Sequence, residues 1–466
     1  MSIFCTTFTK GQPAFSRLCA AILAATLGLL GACTDVQDAP EGRGNIRAVH
    51  ALSALGEVGF LIEERVLANA SYQTVTPFST YDSLQYDFNF DFNSGLTGER
   101  ARLATTSVTV APDTNYTLIL TGTPTAPEIL TVAQPIASFD AAATNLSLWF
   151  SNLSSANSVD IYVGTTGFDP AAVAPLATGL APGAVTDVTS VEAGEVEFIA
   201  TVAGDPTQVL IRSETRTLIA QDVALVGLLD AARVVNGDYV FILGGELNSG
   251  RLADDAAPTT LRVIHGIRGA DAVDLYINDE TVTPVVSALG FPMASTRFEI
   301  PEADDAATVT LNVTAAGNVG APIVTVDSVF ADASSSLAVV ANAPSGDGFG
   351  LLSISESRRP LFDAGLVGVV NASGNIDLID IYFVASDDTF EDTAARARNA
   401  GPSQNIGQFT LEADTYEFYV TDGSNETIVA GPIPVTVEAG DVLQLMIIDV
   451  DDPTALGVVE FDRLAP

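Results

Sequence analysis

Arg262-Val263-Ile264-His265-Gly266, followed by Ala272-Val273-Asp274-Leu275-Tyr276-Ile277-Asn278, decides the fold. The second run alternates aliphatic with polar side chains, the period-2 signature of a β-strand. The same pair of runs occurs four times. Arg47-Ala48-Val49-His50, Leu148-Trp149-Phe150-Ser151 and Gly368-Val369-Val370-Asn371 correspond to the first run. Nine residues beyond the last member of each stand Gly59, Asp160, Asp274 and Asp380. Around them lie Val58-Gly59-Phe60-Leu61-Ile62, Val159-Asp160-Ile161-Tyr162-Val163 and Ile379-Asp380-Ile381-Tyr382-Phe383. The starts are 101, 114 and 106 residues apart, the length of a β-sandwich domain.

The remaining sequence reads the same way. Tyr86-Asp87-Phe88-Asn89-Phe90-Asp91-Phe92-Asn93 puts four aromatics on one face and four Asp or Asn residues on the other. Turn formers such as Ala111-Pro112-Asp113-Thr114-Asn115-Tyr116, Val191-Glu192-Ala193-Gly194-Glu195 and Val437-Glu438-Ala439-Gly440-Asp441 separate alternating segments, as in antiparallel hairpins. Helical stretches are expected only as short pieces near 170–177 and 392–400. Without helices to cover a sheet, two sheets must cover each other. The chain is therefore predicted to be all-β, a tandem array of antiparallel immunoglobulin-like β-sandwich domains spanning 45–142, 143–257, 258–363 and 364–466. Connections are expected at Asp140-Ala141-Ala142-Ala143, Asp254-Asp255-Ala256-Ala257-Pro258 and Arg358-Arg359-Pro360.

The R-V-I-H-G run of the third copy, with V-D-L-Y-I-N after it, resembles the opening of the domain of unknown function 4397 family. The first copy keeps Arg47 and His50 but has Gly59 and Leu61 where the family has Asp and Tyr. The second and fourth keep Asp and Tyr but have Ser151 and Asn371 in place of His. The resemblance implies an extracytoplasmic immunoglobulin-like sandwich and brings no established chemistry.

The N-terminus supplies an address. Lys10 and Arg17 precede a mostly apolar run from Leu18 to Leu30, then Gly31-Ala32-Cys33. That is a charged segment, a hydrophobic segment too short to span a bilayer as a mature helix, and small residues at a cleavage point. It resembles the bacterial lipobox. The resemblance implies removal of residues 1–32, lipidation of Cys33 and a linker over 33–44. Thr34, rather than Asp, after the cysteine favours the outer membrane, with the chain facing the periplasm or the cell surface. Two or more acyl chains anchor a protein stably where one does not.

Charge and cysteine content then exclude several functions. Cys5 and Cys19 leave with the leader, so no thiol remains for a disulfide, a zinc site or a nucleophile. After Cys33 the chain has 17 arginines, no lysine and 58 carboxylates, a net charge of −41. Such a surface repels nucleic acid and anionic headgroups. It suits a solvated acidic coat; calcium binding is the alternative, although no acidic run has EF-hand or nonapeptide-repeat spacing. Absence of lysine excludes a P-loop, a Schiff base and a Ser-Lys dyad in the mature chain, and neither G-x-S-x-G nor H-E-x-x-H occurs. No catalytic or cofactor-binding residue is assigned.

Two repeat columns remain as candidate sites. His50, Ser151, His265 and Asn371 read as buried hydrogen-bonding groups that fix the following loop. Trp149 reads as core rather than as a sugar-stacking platform. Asp160 with Tyr162, Asp274 with Tyr276, and Asp380 with Tyr382 lie opposite the aliphatics of their strands. They are either an ordinary solvated or neighbour-contacting face, or a shallow recognition surface repeated along the rod of domains. The expected function is a lipid-anchored, non-catalytic envelope protein engaging a polymer, matrix or protein partner. The alternatives are a calcium- or small-ligand-binding lipoprotein and, more remotely, a carboxylate-dependent hydrolase.

Overall fold

A computed structural model describes residues 42–93, 100–140, 142–279, 283–300, 308–343 and 348–464. The leader, the lipobox and Cys33 lie outside the described residues.

Each copy is a two-sheet sandwich. In the first, one sheet has Arg43–His50 between two short strands, Thr74–Val75 and Ser79–Asp82, on one side and Thr114–Thr123 on the other, with Ala126–Pro135 outermost. The facing sheet runs Arg65–Ala70, Val58–Ile62, Gln85–Asn93, Arg100–Thr109. Alternation builds the core between them: Phe88 and Phe90 point inward beside Phe60, while Asn89 and Asp91 face away. That second face is not solvated as its polarity suggests. Asn89 is held by Glu63 and Thr105, and Asp91 by Arg102 at 2.5 Å.

The other copies repeat the plan. Val159–Gly164 pairs with Gly194–Val202, Val273–Ile277 with Thr308–Ala315, and Ile379–Val384 with Asp414–Asp422, all antiparallel. Each opening strand also has one parallel partner: Arg43–His50 with Thr114–Thr123, Asn145–Asn152 with Val223–Asp230, Thr260–His265 with Ser335–Asn342, and Ala364–Asn371 with Val442–Asp449. Four cores result, one per copy. The short segment at Pro170–Ala172 is a 3-10 turn capped by Asp169. The one anticipated near 392–400 is instead a 3-10 turn at Phe390–Asp392 followed by the strand Ala397–Ala400.

The domains do not form a rod. In every copy the central residues of the parallel pair are buried on both faces, so these strands are largely apolar, as in Ala364–Asn371. The outer faces of copies one and two stack through Val49, Ile119, Trp149, Leu225, Leu229 and Ile242. Copies three and four do the same through Ile264, Leu337, Val339, Val370, Met446 and Ile448. Copies two and three meet where Asn236 bonds Pro258, Thr260 and Ser334. Residues 358–362 then close the quartet against copy one. Arg359 donates to the carbonyls of Ser53 and Leu55, and Phe362 N donates to Ala54 O at 2.8 Å. Arg358-Arg359-Pro360 is thus a buried strut as well as a connection.

Candidate functional site

The polar column at the end of each opening strand is fully buried. His50 Nε2 donates to Gly56 O at 2.9 Å while its Nδ1 accepts from Leu52 N at 3.3 Å. His265 repeats this with Asp271 O at 3.0 Å and Ile267 N at 3.3 Å. An Nδ1 that accepts and an Nε2 that donates define the neutral ring. Burial pushes the His50 pKa down to about 4, helped by Arg359, and lowers that of His265. Asn371 fills the same role in the fourth copy, accepting from Ser373 N and donating to Gly401 O.

In the second copy the member of this column is Asn152, not Ser151. Asn152 accepts from Ser154 N and donates to Asn157 O and Leu180 O. The ladder agrees, because the residue after Asn152 bonds Leu228 as those after His50, His265 and Asn371 bond Leu120, Val340 and Ile447. The offset of nine residues misaligned this copy, whose loop to Asp160 is one residue shorter. Ser151 belongs instead with Val49, Ile264 and Val370 on the outer face, and donates to Ala184 O. Trp149 moves with it. It lies in the contact between copies one and two, not in a sandwich core, where its column holds Arg47, Arg262 and Gly368. At Gly368 a Cβ would come within 2.3 Å of Gln444 Oε1, so this copy leaves the space to a neighbouring side chain.

The Asp and Tyr column is a structural brace rather than a surface. Asp160, Tyr162, Asp274, Tyr276, Asp380 and Tyr382 are all buried. Asp160 accepts from Gly179 N at 2.6 Å and Gly204 N at 2.8 Å. Asp274 accepts from Ala288 N at 2.6 Å and Gly317 N at 2.8 Å. Asp380 accepts from Asn399 N at 2.7 Å. Gly179, Ala288 and Asn399 hold the same place in their edge strands, each with φ between 50° and 59°. An L-residue resists that left-handed conformation, and the aspartate fixes it where the edge strand shifts register. Tyr382 packs on Phe390, which packs on Tyr419, each at 4.9 Å. The neighbour-contacting reading holds for this face and the exposed recognition surface does not, because edge-strand and turn backbone of the same domain covers the polar side of these strands.

The acidic run Asp449-Val450-Asp451-Asp452 is divided among three tasks. Asp449 accepts from Asn342 Nδ2, Gly374 N and Asn375 N; Asp451 pairs with Arg268 at 2.9 Å; Asp452 accepts from Thr454 N. Among the described residues, no group of three or more His, Cys, Asp or Glu side chains is placed to hold a metal ion. No described helix is long and apolar enough to cross a membrane. One carboxyl pair crosses a domain contact. Half-buried Glu214 of copy two is hydrogen-bonded to Asp332 of copy three, and burial and that neighbour raise the Glu214 pKa well above the carboxylate range.

A groove of about 650 Å³ opens where copy one meets copies two and four and the last residues of copy three. Its walls come from Gly56 and 71–75, from 249–251, and from Ser357, Arg359, Gln408 and Thr410. Arg359 crosses over the Tyr72 ring at 5.2 Å. The Arg251 side chain makes one described hydrogen bond, to Gln73 Oε1 at 3.4 Å. The residue is accessible, yet the walls strip enough water from its guanidinium to lower its pKa, with no carboxylate acting on it. None of these residues stands out in the sequence, because only the stacking of outer faces brings Gly56 to Thr410.

The model of a family described as "Domain of unknown function (DUF4397)" matches residues 44–162 and 259–382, just over half of the chain. Each match covers one copy and runs through the Asp/Tyr strand of the next. No curated protein matches. Among solved structures, the Bacillus anthracis TIE protein is 11% identical, with 88% of this chain and 69% of that chain covered, at a TM-score of 0.15. A family CBM26 module of Eubacterium rectale Amy13K, solved with maltoheptaose, is 13% identical, with 44% and 98% covered, again at a TM-score of 0.15. Those scores carry no argument about function. By the family match, supported by the all-β sandwich copies, the chain belongs to the DUF4397 family.

Proposed function

We propose that this chain is a non-catalytic binding protein of the bacterial envelope, anchored in the outer membrane by lipid on Cys33. One observation carries the binding part: the polar columns common to the copies are spent on holding loops and edge strands, whereas the groove between the copies keeps uncommitted donors facing solvent. Arg251 is the clearest of these. Concave sites at domain contacts that carry a few well-placed polar groups are where small ligands bind. The leader reading supports the address, and the acidic surface suits a solvated, extracytoplasmic chain.

The anchoring part is tested by mass spectrometry of the mature N-terminus. Acyl mass on Cys33, and release into the soluble fraction on Cys33→Ser, are expected; an unmodified Cys33 in the wild type refutes it. For binding, the immobilised lipid-free mature chain is exposed to purified envelope and matrix polymer fractions, with and without calcium. Retention of a polymer fraction independent of calcium is expected. Retention only with calcium favours the metal-dependent alternative, and turnover of a bound polymer overturns the non-catalytic reading.

A further inference from the structure

Positive charge is scarce in this protein, and part of it is spent on ion pairs. Against 58 carboxylates the mature chain has 17 arginines. Arg43, Arg102, Arg212, Arg268 and Arg297 each hold a carboxylate oxygen within 3.4 Å. In so acidic a molecule an accessible guanidinium has many partners to choose from, and an ion pair on the surface costs little to form. Arg251 has none among the described residues. The single described bond of its side chain, to the Gln73 amide oxygen, is long at 3.4 Å and leaves its other guanidinium N–H donors open to the groove.

The surroundings of Arg251 narrow what those donors serve. The second groove arginine, Arg359, is also without a carboxylate; it is anchored on the Ser53 and Leu55 carbonyls and its charge still reaches the groove. One carboxylate, the exposed Glu57, lines the same space, so the groove is net positive in a strongly negative molecule. The hydroxyls of Ser249, Ser357 and Thr410 line it with no protein partner among the described residues. Gln408 donates to Ser357 O at 2.8 Å, which leaves its own side-chain oxygen free to accept. An apolar ligand would strand these groups. A ligand with many hydroxyls satisfies them, and a planar carboxylate matches the fork of a guanidinium.

We infer that this groove is a binding site for an acidic saccharide of the uronate class, with Arg251 as the carboxylate anchor and Arg359 as a second, fixed positive charge. The inference rests on the reading of the chain as a binding protein and names the ligand and the place. A volume of about 650 Å³ accommodates two to three sugar rings, within the range of about 300–1,000 Å³ usual for ligand sites. Because all four copies contribute walls, copy three through Ser357 and Arg359, the ligand also bridges the two stacked pairs.

Calorimetry on the lipid-free mature chain tests it, with trigalacturonate as probe and uncharged galactotriose as control, at low ionic strength. The wild type is expected to bind trigalacturonate and to bind galactotriose at least tenfold more weakly. Arg251→Gln should weaken trigalacturonate binding at least tenfold. Arg251→Lys should retain part of the affinity, since it keeps charge and loses the fork. Arg43→Gln, which removes a guanidinium outside the groove, should change nothing. An unshifted Trp149 emission maximum establishes that each variant keeps the packing of copies one and two. Failure of the wild type to bind trigalacturonate, equal binding by Arg251→Gln, or equal binding of galactotriose overturns the inference. If an envelope polymer is retained by wild type and Arg251→Gln alike, the groove assignment falls while the binding function stands; if no polymer is retained at all, both fall.

Discussion

Replacing His50 by Asn should change how stability depends on pH more than stability itself. Asn is the residue that the second and fourth copies use at this position, and it keeps one acceptor and one donor for the Leu52 amide and the Gly56 carbonyl. What it removes is a titrating group. His50 is wholly buried and neutral, with its pKa lowered from 6.5 to about 4 by desolvation, which outweighs the opposing hydrogen bond to Gly56 and is reinforced by Arg359. A base whose folded pKa is depressed binds its proton more readily when unfolded. Its contribution is therefore fully present above pH 6.5 and is lost as pH falls from there toward 4. At about 1.4 kcal/mol per pKa unit, the loss is about 3 kcal/mol when complete, and about 2.5 kcal/mol near pH 4.5. Carboxylates titrate over the same range, so the comparison with His50→Asn isolates the histidine. Trp149, the one tryptophan, lies buried in the contact between copies one and two and reports on it through its emission. Urea melts followed at Trp149 should converge as pH falls: the wild type is the more stable at pH 7, and the difference shrinks or reverses by about pH 4.5. Parallel curves for the two proteins across that range would refute a buried, neutral His50.

Asp274→Ala strands the amides of Ala288 and Gly317, two charge-assisted hydrogen bonds of about 1.5–3 kcal/mol each, and should destabilise the third copy by about 3–5 kcal/mol. Hydrogen exchange at residues 288 and 317 of the intact chain should speed up by at least about a hundredfold; unchanged exchange there would contradict the brace. Glu214→Gln keeps a hydrogen-bonding partner for Asp332 and removes a charge that burial and Asp332 disfavour. An acid with a raised folded pKa contributes stability below pH 4.5 that is lost as pH rises through its folded pKa. The variant should therefore tighten the contact of copies two and three above neutral pH and leave it unchanged in acid, measured by exchange around residues 332–336; an equal effect at both pH values would speak against a shared proton.

Strand identity was legible because alternation states which residues face a core, as at Phe88 and Phe90, and because the same two-strand opening recurs. The role of the polar column was legible for the same reason: His and Asn share hydrogen-bonding geometry, and catalysis would not tolerate their exchange. Its membership in the second copy was not, since Ser151 and Asn152 are both hydrogen-bonding residues and only ladder register separates them. What the face of Asp160, Asp274 and Asp380 meets was left open for a physical reason. Alternation tells which residues leave the sandwich core but not what covers the other side, and here the cover is an edge-strand amide 14 or 19 residues along the chain. Face-to-face packing of the copies did leave a trace. Ser335–Asn342 and Ala364–Asn371 are apolar on both faces, which marks a strand with a neighbour on each side. The groove left none, as its residues are hundreds of positions apart.

All of this depends on four sandwiches joined side by side into one closed body, and small-angle scattering of the lipid-free mature chain tests that most directly. A compact body of residues 33–466 should have a radius of gyration of about 22–25 Å. Four sandwiches end to end, each roughly 30 Å along its strands, would make a rod roughly 120 Å long with a radius of gyration of roughly 35 Å. The compact value, independent of concentration, is the predicted result. A value near that of the rod would contradict the stacked outer faces and, with them, the groove.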